Sequence, residues 1–339
     1  MSIIRSDMVI YGSANMQESD SGAQGGAIAT TKRVVFDDLS TTDTVQIVSS
    51  DATDADPDAV TVYGRDAGGS IVSETELING QTPVTTAQSF ERLMKCTISA
   101  GSPAGDVAVE KSTATRDNTA QGGSDATSSE AAYMTLDASA SGVDDTYNGM
   151  VLRINGGTGS GQIRRIVDYD GTNKYAYVDR DWGTTPDATS EFVISEGVVF
   201  ANGETEIRRP FYDVSADVAG GSERTFYEKV FVKNTNSVNS LLSMTVSEEA
   251  DPSTKIEFAL EDAVDDSGTS TDRTTAPAAG EIGGTGFDSA TKTLATETDA
   301  GTADLAAGSA IGVWLKLTLA AGDAAAKSTY TIGSNGSTT

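Results

Sequence analysis

Ile311-Gly312-Val313-Trp314-Leu315-Lys316-Leu317-Thr318-Leu319 carries an apolar residue at every odd position. Successive side chains of an extended strand face opposite sides, so this period of two predicts a half-buried antiparallel β-strand. Trp314 falls on the polar side of that strand. It is expected to fill an interface, because aromatic residues concentrate at the centre of contact surfaces. Lys255-Ile256-Glu257-Phe258-Ala259-Leu260-Glu261 repeats the pattern, with Ile256, Phe258 and Leu260 pointing one way and Lys255, Glu257 and Glu261 the other. Thr225 to Lys233 and Leu242 to Val246 supply further strands. The Gly/Thr/Asp-rich stretch between Leu260 and Ile311, with a weak apolar interruption at Phe287, reads as a large surface loop.

The same reading extends towards the N-terminus. Val34-Val35-Phe36, Val45-Gln46-Ile47-Val48, Val60-Thr61-Val62-Tyr63, Ile71 to Leu77, Cys96-Thr97-Ile98 and Val107-Ala108-Val109 are short strand signals. Asp66-Ala67-Gly68-Gly69 and Asn79-Gly80 between them are turn signals. Met150 to Ile154, Ile163 to Val167, Tyr175 to Val178 and Phe192-Val193-Ile194 form a second group. The expected fold class is all-β: tandem antiparallel β-sandwich or small barrel modules with an extended N-terminal arm. The arm covers 1–30, a β-sandwich 31–111, a small antiparallel β module 112–198 and a C-terminal β-sandwich 199–339. The arm has few apolar residues and is interrupted by Gly22-Ala23-Gln24-Gly25-Gly26, so it is expected to order only against a partner.

Composition narrows function. The chain has 339 residues, with 23 Lys+Arg against 50 Asp+Glu, a formal net charge of −27. So acidic a surface repels nucleic-acid phosphates and anionic membranes. There is no histidine, which removes Ser-His-Asp and Cys-His catalysis and His-based zinc sites. The single cysteine, Cys96, allows no intrachain disulfide and reads as a small buried hydrophobe in its strand. Met1 to Asp7 lacks the apolar core of a signal peptide, and no stretch has the length of a transmembrane helix. Synthesis in the cytoplasm is the expectation.

Three local features invite chemistry. Gly156-Gly157-Thr158-Gly159-Ser160-Gly161 has the glycine density of a phosphate loop. Gln162-Ile163 stand where Lys-Ser/Thr belongs, and no helix follows, so a hairpin connection is preferred. Asp51, Asp54, Asp56 and Asp58 crowd one loop, and four carboxylates supply much of a calcium shell. The spacing is not that of an EF-hand and Pro57 replaces its glycine, so an acidic turn is preferred over a calcium loop. Many Asp and Glu residues offer themselves for a glycosidase-type pair, and nothing in their spacing selects one. The sequence therefore names no catalytic, cofactor-binding or metal-ligating residue, and the chain reads as a non-enzyme.

Val62-Tyr63-Gly64-Arg65-Asp66-Ala67-Gly68-Gly69-Ser70-Ile71-Val72-Ser73-Glu74-Thr75, with Gly80, Pro83-Val84 and Phe90-Glu91-Arg92-Leu93, resembles a sandwich module of tailed-bacteriophage virion proteins. Tyr147-Asn148-Gly149-Met150 through Val178-Asp179 resembles a small β module of such proteins, and Ala310 to Gly322 their last sandwich. The resemblance spans most of residues 45 to 330. It implies a virion structural protein, most like a capsid decoration (cement) protein on the capsid exterior. The implied partners are the major capsid protein and copies of itself, with no direct nucleic acid, no membrane and no cofactor. A tail-tube subunit, a head or tail fibre component and a carbohydrate-binding adhesion module are the alternatives.

Overall fold

A computed structural model describes residues 3–16, 20–35, 39–127, 130–211, 221–323 and 329–338. Strand takes up 49% of the chain and helix 3%, so the fold is all-β, built from several antiparallel sheets. The residues gather into two compact units. Met1–Ile3, Asp7–Val34 and Pro210–Thr339 make one, Ile4–Ser6 and Val35–Arg209 the other. In sequence, the second unit is therefore an insertion into the first. The chain opens with β1 (Met8–Asn15) and β2 (Gln24–Arg33) of the outer unit.

The inserted unit begins with β3 (Asp43–Ser49), β4 (Ala59–Arg65), β5 (Ile71–Leu77), β6 (Val84–Phe90), β7 (Arg92–Ala100) and β8 (Val107–Lys111). Short apolar alternation makes each a strand, and Asp66 fixes the β4–β5 turn by accepting the Gly68 and Ser70 N–H groups, both at 2.9 Å. A second group follows: β9 (Arg116–Thr119), β10 (Gly122–Ser124), β11 (Tyr133–Thr135), β12 (Val151–Gly156), β13 (Ile163–Asp170), β14 (Tyr175–Val178) and β15 (Glu191–Ser195). It forms one sheet in the order β10-β11-β14-β13-β12-β15-β9 over its own core of Met134, Leu152, Ile166, Val178 and Phe192.

Two more strands, β16 (Gly197–Phe200) and β17 (Glu206–Arg208), return to the first group. They complete the sheets β16-β8-β3-β6 and β17-β7-β4-β5, which enclose Ile47, Val62, Phe90, Leu93, Cys96 and Phe200. The sequence boundary at 198/199 thus falls inside β16. Val198 pairs with Val109, 89 positions earlier, a partnership no local signal reports. Val48, Ala108, Val151, Ile163 and Val199 form a further apolar layer. The sheet containing β8 is therefore covered on both faces, and all five residues of Val107–Lys111 are buried.

The outer unit resumes with β18 (Arg224–Asn234), β19 (Leu242–Ala250), β20 (Ile256–Val264), β21 (Thr269–Ser270), β22 (Lys292–Thr293), the single helical turn α1 (Leu294–Glu297), β23 (Ala310–Leu319) and β24 (Thr331–Ser337). One sheet runs β20-β23-β18-β1-β2, with β21 on β2; the other runs β22-β19-β24. Val230, Met244, Phe258, Ile311, Val313 and Leu315 lie between them. The odd residues of β23 face this core as their period requires.

Two expectations are corrected here. The described residues of 1–30 are not an extended arm: β1 pairs with β18 from Met8↔Asn234 to Gly12↔Val230, and β2 pairs with β1. A sparse apolar pattern suffices because backbone hydrogen bonds on two sides supply much of the order. Nor is 261–310 a surface loop. Leu294 and Leu305 are fully buried, and Arg273 and Lys292 are buried with carboxylate partners.

Candidate functional site

On the outer unit's main sheet, the face turned away from the core carries Lys229 of β18, Trp314 of β23 and, after Leu260 of β20, Glu261. Lys229 stands opposite Trp314 in the ladder, so the two share a face. This face is covered. Gly25 and Gly26, with φ of 86° and 85°, let β2 and the 266–268 turn close over the indole. A Cβ at Gly25 would lie 2.7 Å from both the Trp314 ring and the Gly268 carbonyl oxygen. The glycine pair that interrupts the sequence pattern is thus the place where backbone must approach a large side chain. Trp314 is fully buried inside its own unit, which corrects the interface expectation.

Lys229 and Glu261 form an ion pair with both side chains fully buried. The Lys229 ammonium also donates to the Gly268 carbonyl oxygen at 3.2 Å and lies 4.7 Å from the Phe231 ring centre and 5.7 Å from that of Trp314. Glu261 reaches across the middle strand over Gly312, where a Cβ would sit 2.0 Å from Oε2. Asp266 and Glu281 complete the cluster, with one carboxylate oxygen from each of the three acids within 4.8 Å of the others.

Burial pushes the Glu261 carboxyl up to about 8 despite Lys229 beside it, and Asp266 adds to the rise. Burial pushes the Lys229 ammonium down. Asp266 moves the other way. Burial penalises its charge, but backbone N–H groups of Gly268 and Ser267, with Lys229, outweigh that and hold it below the usual carboxylate range. Burial and the Asp266 charge raise Glu281. The cluster therefore holds one ionised acid, two acids inclined to keep their protons and an amine inclined to lose one. Among the described residues this is where three acidic groups converge. The Lys229 ammonium already takes the cation's place there, and the set is not read as a metal centre.

The acidic 51–58 loop is built differently. Asp54 is buried, accepts Ser49 Oγ–H at 2.5 Å and takes the N–H groups of Ala104 and Gly105 at 2.8 and 3.1 Å. Asp58 accepts the Ser102 N–H at 2.8 Å, and Asp51 the Thr53 N–H and hydroxyl at 2.8 and 2.7 Å. These carboxylates fasten loop backbone, and they do not converge on a common point. The glycine-rich 156–161 segment is the β12–β13 hairpin connection, closed by Gly161 N–H to the Ile154 carbonyl at 2.8 Å. Cys96 is buried, which pushes its thiol well up.

Lys229, Glu261 and Asp266 escaped sequence reading because alternation shows only that a residue faces away from the core, not what covers it. The legible signal was the pair Glu228-Lys229 inside the otherwise apolar-aromatic run Phe226 to Phe231. Comparisons of the chain with protein-family models, with curated proteins and with solved structures return no match.

Proposed function

We propose that the protein is a non-enzymatic virion structural protein that binds the assembled capsid lattice from outside and reinforces it. The observation that carries this reading is how the charge is distributed. Among the described residues Lys111, Arg153, Arg164, Arg208, Arg209, Lys229, Arg273 and Lys292 are buried, whereas only six carboxylate residues are. Drawing cations inward leaves the exterior more acidic than the net charge of −27 implies. Such an exterior suits a place on the shell away from packaged DNA. The resemblance of residues 45 to 330 to tailed-phage virion modules supports the same reading. Binding would be multivalent, with moderate contacts to the major capsid protein and to further copies repeated over the lattice. Because such a clamp binds only the assembled shell, it stabilises that state by mass action.

The test is to prepare particles lacking this product and to examine heads and tails separately. Normal tails with heads that break at lower temperature or lower salt are expected. Sturdy heads without tails of normal length reject the reading in favour of a tail-tube subunit.

A further inference from the structure

We propose that Lys229 and Glu261 condense into an intramolecular amide, Nζ to Cδ with loss of one water, and that Asp266 relays the proton. Both partners are fully buried and in contact, on strands that flank β23. The bond would therefore tie β18 to β20 across the strand between them. Gly312 opens the lane, since any side chain there would occupy the space of the Glu261 carboxyl.

The surroundings favour the covalent state over the ion pair. Glu261 Oε2 is buried with no hydrogen-bond partner, and Oε1 has only the lysine. Leaving a charged oxygen so placed is costly, and the amide removes one oxygen and both charges. Phe231 and Trp314 line the amine and exclude the water that would hold both groups ionised. Fixed contact also replaces a bimolecular encounter with an effectively unimolecular one.

The step balances. One proton passes from the ammonium to the Glu261 carboxylate, which gives a neutral amine and a carboxylic acid. This is the direction in which burial moves both groups. The Nζ lone pair attacks Cδ, and the carbonyl π pair moves to oxygen. The Asp266 carboxylate, which is held below the usual carboxylate range and has an oxygen within 4.8 Å of one of Glu261, takes a proton from the new N–C centre. It returns that proton to the departing hydroxyl; the C–O bond breaks, water leaves and the carbonyl re-forms. Asp266 ends as it began, and no oxidant or co-reactant is needed. The reaction occurs once per molecule.

The experiment is mass spectrometry of the full-length protein, denatured after purification, followed by fragmentation of its proteolytic peptides. The expected result is an intact mass lower by one water and a branched peptide joining the Lys229 and Glu261 segments, with no cleavage after Lys229 by a lysine-specific protease. A mass equal to that of the full sequence overturns the proposal. So does a water loss mapped elsewhere, such as a succinimide at Asp170-Gly171. Lys229→Met should have the full sequence mass. Asp266→Asn should keep the all-β circular dichroism spectrum and form the branched peptide at least tenfold more slowly after refolding, with Asp266→Glu restoring the rate. Cross-linking of Asp266→Asn at the native rate overturns the relay assignment.

Discussion

Glu110 shows how much depends on single polar residues in this chain. Its side chain is fully buried, and Oε1 accepts Nε and Nη2 of Arg153 at 3.1 and 2.9 Å and Nε2 of Gln46 at 2.7 Å. Burial nevertheless raises its pKa, against the opposing effect of Arg153 and Gln46. Removing one partner of a buried pair costs more than replacing both, because the survivor keeps a charge without compensation. Glu110→Ala should therefore destabilise the inserted unit by about 3–5 kcal/mol, while Glu110→Leu combined with Arg153→Met should recover most of that loss. Urea unfolding of the three proteins measures both values. A single variant within about 0.5 kcal/mol of the parent would place the pair among exposed ion pairs, whose contribution is small.

At the scale of elements, β1 and β2 are the case in point. β1 lies between β18 and β2, and Met16 and Val34 beside these strands are buried in the outer unit's core. Each such side chain contributes about 1.5–3 kcal/mol on burial. Their removal would also leave the backbone groups of β18 unpaired along one edge. A chain starting at residue 35 should accordingly lose the cooperative fold of the outer unit. Hydrogen exchange should show β18, β20 and β23 unprotected, with β3, β4, β7 and β8 still protected. Full protection of β18 in the truncated chain would restore the extended-arm reading.

At the scale of the whole molecule, the insertion is the governing feature. Val35–Arg209 is continuous in sequence and has its own cores, whereas the outer unit is assembled from three segments, Met1–Ile3, Asp7–Val34 and the distant Pro210–Thr339. Val34 and Phe211, on either side of the insertion, belong to one apolar cluster of the outer unit. Residues 35–209 should fold alone, with a calorimetric transition within about 4 °C of the matching transition of the full chain. Ile4–Ser6 brings the exposed Arg5–Asp168 pair to this unit, and exposed pairs stabilise little. A fragment without a cooperative transition would show that the inserted unit depends on the outer one.

Alternation at 311–319 and 255–261, turn residues such as Asp66 and Gly68, and β-branched runs determined an all-β chain, because these are local properties of an extended backbone with a period of two. They also placed Ile311, Val313, Phe258 and Leu260 on a core face and Cys96 in the interior, as found. Only the tertiary structure decided which strands meet. Met8 pairs with Asn234 and Val109 with Val198, and pairing partners so far apart leave no mark on either segment. The Lys229 cluster belongs to the same class. Alternation turned Glu261 away from the core, and only the closure of β2 and the 266–268 turn over that face removed it from water. Burial by a distant segment, rather than any local pattern, made an outward-facing glutamate and a strand lysine into a reactive pair.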